Sequence, residues 1–222
     1  MRKNIIASIV FAGIAGTISI TTWAQPQPPA SYSSNMPVNY IRTWDAMAPE
    51  TDGTNLMSRS LKDARMATQY FDGLGRPVET VVKQGSYETG GTATDLVSAN
   101  TYDEYGREVL RYLPGPANNT GGNTHISDGL FKLNPFQQQV AFYNTQLAGQ
   151  AGETNVGQNN LNWAFNQTNY EASPLNRIDK TLAPGTSWVG SSRGVEAKHW
   201  VNAPADNVQL WKCNDVTGSF GN

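Results

Sequence analysis

The sequence predicts a mainly β protein of antiparallel hairpins with one short helix packed on the sheet. Three observations carry this. The 222 residues include 21 Gly and 12 Pro with only 15% charged side chains, a composition suited to turns and strands. A turn signature occurs twice, at Asp72 and at Asp103, each time between strand-like runs. A single segment, Pro135 to Leu147, carries apolar residues at helical spacing.

The N-terminus is read apart from the fold. Arg2 and Lys3 precede an apolar run from Ile5 to Ile20, and Thr22-Trp23-Ala24 places small residues before a cut at Gln25. The run is broken by Gly and Ser and is shorter than the ~18 apolar residues that a membrane span requires. Residues 1–24 are therefore expected to be a cleaved signal peptide, and the mature chain to be secreted, displayed at the cell surface or held in the periplasm. Cleavage leaves 198 residues with 14 basic and 18 acidic side chains, a balance that gives nucleic acid no electrostatic foothold. The single cysteine, Cys213, cannot form an internal disulfide.

Residues 25–37 read as a Pro-rich, solvated linker, and residues 38–222 as one β domain. Its first strand is expected over Val38–Trp44. Next comes an internal repeat: aligning Asp72 with Asp103, an offset of 31 residues, also aligns Phe71 with Tyr102, Gly75 with Gly106, Arg76 with Arg107, and Val78 with Val109. In a type I turn, Asp suits the first position because its carboxylate takes the following amides. Gly suits the fourth, where the chain enters the returning strand with positive φ. The aromatic before the turn and the Arg after it are expected to stack across their own hairpin.

Loops are expected over Gly85–Thr94, Pro114–Thr124 and Ala151–Asn160. The helix should start at Pro135 under an Asn134 cap, bury Phe136, Val140, Tyr143 and Leu147, and stop at Gly149. A third hairpin, Asn169 to Ile178, repeats the pattern of aromatic, acid and Arg with a turn two residues longer. A last pair of strands is expected over Gly194–Val201 and Asn207–Trp211.

The two copies, Phe71-Asp72…Gly75-Arg76 and Tyr102-Asp103…Gly106-Arg107, resemble the YD repeat of Rhs and teneurin-type proteins. Together with Tyr170 to Arg177 and Ala205 to Trp211, they also resemble an uncharacterised domain at the N-terminus of large bacterial RHS repeat-associated proteins. That resemblance implies a spiral of β-hairpins building a hollow shell, often around a toxin or effector. Two clear copies are fewer than a shell uses, so it implies an N-terminal module of a longer chain, with further repeats as partners.

Candidate chemistry is sparse. Asp72 and Asp103 could be imagined as a carboxylate pair, but the turn explains both. His125 has Asp128 nearby, His199 has no ligand-spaced neighbour, and no nucleophile motif is present. No catalytic, cofactor or metal role is assigned. Two readings follow: a structural shell module, or an extracellular module binding a glycan or surface protein through exposed tryptophans.

Overall fold

A computed structural model of the chain describes residues 27–86, 91–147 and 162–207. The signal-peptide segment, the Ala151–Asn160 loop, Gly149 and the Val208–Trp211 part of the last strand lie outside the described residues.

Among the described residues nine strands form one antiparallel sheet: β1 (Asn39–Ala46), β2 (Ala64–Phe71), β3 (Pro77–Ser86), β4 (Thr94–Tyr102), β5 (Glu108–Tyr112), β6 (Gly115–Pro116), β7 (Phe165–Tyr170), β8 (Ile178–Leu182) and β9 (Val195–Glu196). Their order is β1-β2-β3-β4-β5-β7-β8-β9, with the short β6 also on β4. Neighbours in the sheet are thus nearly always neighbours in sequence, as hairpin connections require. The one long excursion, between β6 and β7, carries the helix.

Alternation explains which face is buried. Along β4, Asp95, Val97 and Ala99 are buried while Leu96 and Ser98 are only partly so. Two apolar clusters lie on the sheet. One joins Tyr70, Val78, Val81, Val97 and Ala117; the other joins Ala99, Tyr112, Phe136, Trp163, Phe165, Leu182 and Val189.

The helix α1 runs over Pro135–Ala141 and continues as a π-helical turn over Phe142–Gln146. Phe136, Val140 and Tyr143 are buried as their spacing requires, and the Phe136 ring meets Tyr112 edge-on at 4.9 Å. Asn134 does not cap the helix with its side chain. Its Nδ2 instead donates to the Thr120 carbonyl at 2.7 Å, tying the helix start to the preceding loop.

Two further expectations change. The Pro-rich segment is not a solvated linker throughout: Tyr32 stacks on Phe131 at 5.3 Å, its N–H donates to the Leu133 carbonyl at 2.6 Å, and Met36 and Val38 join the first cluster. The half-buried Tyr32 ring offsets the entropy of ordering a short proline-stiffened segment. The Gly194–Val201 strand contracts to Val195–Glu196, because only two residues pair with β8 before the chain leaves the sheet.

Candidate functional site

The turn residues form the most regular feature of the molecule. In the first copy the Gly75 N–H donates to the Asp72 carbonyl at 3.0 Å, closing the turn, and Gly75 sits at φ +77°. The Asp72 carboxylate takes the N–H groups of Leu74 and Arg76, both at 2.9 Å, and the Arg76 Nε at 2.7 Å. The second copy repeats this: Tyr105 and Arg107 N–H donate to Asp103 at 3.0 and 2.9 Å, Arg107 Nε at 2.7 Å, and Gly106 has φ +79°. Burial pushes both carboxyls up, but the bonds from the Arg backbone and side chain outweigh it, so each lies below the usual carboxylate range.

The arginines do not stack on the aromatic that precedes their own turn as the sequence suggested, although Arg107 lies over Tyr105 within its turn at 5.0 Å. Arg76 lies over the ring of Tyr102, the next copy's aromatic, at 4.7 Å, and the Tyr102 hydroxyl donates to the Pro77 carbonyl at 2.7 Å. Arg107 lies over Tyr170 at 4.6 Å, whose hydroxyl donates to the Glu108 carbonyl at 3.2 Å. The cause is register. Carried to the strand ends, the β3–β4 and β5–β7 pairings set Arg76 opposite Tyr102 and Arg107 opposite Tyr170. Within a hairpin the aspartate holds the guanidinium in its plane, leaving its face for the neighbour.

A third copy completes the pattern. Arg177 Nε donates to Glu171 at 2.6 Å, the Glu171 N–H donates to the Arg177 carbonyl at 3.0 Å, and Asn176 takes the left-handed position at φ +53°. Glu is one methylene longer than Asp, which suits a turn two residues longer. Seven of the eight residues singled out in the sequence, Asp72, Gly75, Arg76, Tyr102, Asp103, Gly106 and Arg107, thus fall into one ladder that Tyr170, Glu171, Asn176 and Arg177 extend, while Phe71 is paired with Asn39 of β1 and Pro77 of β3.

Asp72 and Asp103 each face their own arginine and form no shared carboxylate site. His125 and Asp128 do meet, Nδ1 to Oδ2 at 2.9 Å, on an exposed loop. No group of three or more potential metal ligands occurs among the described residues. A buried cluster that sequence reasoning missed lies behind that loop: Lys132 against Asp95 and Asp128, with Glu79 beside its backbone. The available signal was a lysine set inside the apolar run Leu130-Phe131-Lys132-Leu133. Among the described residues no helix is long and apolar enough to cross a membrane.

The class these features define is a β protein assembled from repeated hairpins cross-linked by an acid–arginine–tyrosine ladder. The chain belongs to the family DUF6443, a domain of unknown function, which matches residues 42–201. The comparisons with curated proteins and with solved structures found no match.

Proposed function

We propose that this chain is a non-catalytic, exported structural module, the N-terminal part of an RHS/YD-repeat shell in a large secreted or cell-surface protein. The observation that supports this reading is the ladder: the residues resembling a YD motif are spent on joining one hairpin to the next. Asp and Arg close each turn, and the exposed face of Arg together with the following carbonyl seats the next tyrosine. A site built for catalysis would instead gather such groups in a cleft with free valences. Stacked repeats bury their faces only against neighbours, so further hairpins of the same polypeptide, or of a shell-forming chain, are the partners.

The test is comparative. The mature chain, from Gln25, is produced alone and joined to whatever hairpins its gene encodes in frame beyond Asn222. The reading expects the longer form to be monomeric and the short form to self-associate, with tryptophan emission unchanged by polysaccharides. Monomeric behaviour of the short form, with saturable fluorescence change on adding a glycan, would overturn it in favour of a binding module. Trp200, 82% exposed, is the side chain that would report such binding.

A further inference from the structure

Lys132 and Asp95 are buried at 1% and 0% exposure, with Nζ 2.7 Å from Oδ2. They come from the loop before α1 and from the start of β4, 37 positions apart. We propose that Lys132 Nζ and Asp95 Cγ condense after folding into an intramolecular amide that staples this loop to the sheet.

The surroundings supply what such a condensation needs. Nζ is held against the carboxyl, 2.7 Å from Oδ2, which replaces an encounter by a fixed approach. Both Asp95 oxygens face backbone donors, Gln84 N–H at 2.8 Å on Oδ1 and Gly129 N–H at 2.7 Å on Oδ2. Negative charge on the oxygens of a tetrahedral intermediate would be stabilised there as in an oxyanion hole. Both donors come from residues with left-handed backbone, φ +73° at Gly129, where glycine is at ease, and +50° at Gln84, a disfavoured conformation for a residue with a Cβ.

A proton acceptor is also in place: Asp128 Oδ1 lies 2.9 Å from Nζ and is partly open to solvent. The third Nζ partner is the His125 carbonyl at 2.6 Å. Glu79 lines the same pocket, takes the Lys132 N–H on Oε1 at 2.8 Å, and leaves its buried Oε2 without a partner. Burial pushes its carboxyl well above the usual carboxylate range, which disfavours a competing anion there.

In the condensation the Lys132 ammonium passes one proton to Asp95, giving amine and carboxylic acid. The amine lone pair forms the N–C bond. Asp128 takes a proton from the nitrogen and delivers it to the departing hydroxyl as the C–O bond breaks. One water leaves, and a neutral amide replaces the ion pair. No oxidant, reductant or cofactor enters.

The experiment is mass spectrometry of the folded, exported protein. Expected are an intact mass about 18 Da below the sequence value, a branched peptide joining Asp95 to Lys132, and no tryptic cut after Lys132. Fragment mapping separates this from cyclisation of an N-terminal glutamine, which changes the mass elsewhere. Lys132→Arg, which keeps the ion pair but cannot condense, should give linear peptides only, and Asp128→Asn should lower the cross-linked fraction at least tenfold. Linear peptides with normal cleavage at Lys132 in the parent protein would overturn the proposal and leave an ion pair only. That reading needs no variant to fold.

Discussion

Gly106 decides its turn twice over. Its φ of +79° is unfavourable for any residue with a Cβ, and a Cβ built there would stand 3.0 Å from Arg76 Nη1, the guanidinium of the preceding copy. Gly106→Val should therefore lower stability by at least ~1 kcal/mol, whereas Gly73→Val, at an open position of ordinary backbone, should change it by less than about half that. Equal chemical-denaturation midpoints for the two variants would refute the turn assignment. The contrast shows what a sequence carries at this scale. Asp and Gly at fixed spacing reveal a turn because the chemistry is local. The stacking partner of Arg76 stayed hidden because Tyr102 lies 26 positions away and is set by strand register.

At the scale of elements, the ladder points to its own continuation. Extending the β8–β9 register places His199 opposite Arg177, the position that Tyr102 and Tyr170 hold opposite Arg76 and Arg107. Asn207, at φ +52°, follows Asn176 by the same 31 residues that separate Gly75 from Gly106. Glu171, which pairs with Arg177, also feels the charge of His199 and lies below the usual carboxylate range, chiefly through the Arg177 bond. His199→Tyr should restore a phenol over the guanidinium and raise the melting temperature, through one stacking contact and one hydrogen bond. A fall in melting temperature, or a gain that persists after Arg177→Ala, would sink this assignment. The hairpins and the helix were legible because their signals repeat within a dozen residues. The fate of the Pro-rich segment was not, since only the folded sheet offers Tyr32 its place against Phe131 and Phe136.

For the whole molecule, two sets of carboxyls set the dependence of stability on pH in opposite senses. Asp72 and Asp103 have folded values below the usual one, so their contribution is present above the unfolded value and is lost as pH falls through the folded value. Glu79 is the reverse. Burial is the largest cause, the Asp95 charge adds to it, and the bond and charge of Lys132 only partly oppose it. Its raised value favours the fold at low pH and is lost as pH rises from the unfolded carboxylate range, ~4.3, through its folded value. Stability should therefore pass through a maximum on the acidic side of neutrality. Glu79→Gln, which keeps an acceptor for the Lys132 N–H, should flatten the alkaline limb while sparing the acid limb. Parallel alkaline limbs for parent and variant in urea melts across pH 5 to 9 would contradict this. The burial of Glu79 was not readable from the chain alone, because Lys132, whose apolar flanks did hint at burial, is 53 positions away.

The ladder also has a direction. Each tyrosine's seat consists of an arginine and a carbonyl that precede it in the chain, Arg76 and Pro77 for Tyr102, Arg107 and Glu108 for Tyr170. A polypeptide that crosses a membrane or leaves a ribosome N-terminus first therefore delivers every new hairpin to a receptor already finished. Assembly can proceed stepwise behind the moving end, and each docked phenol resists backward slippage of the chain, much as a pawl holds a wheel.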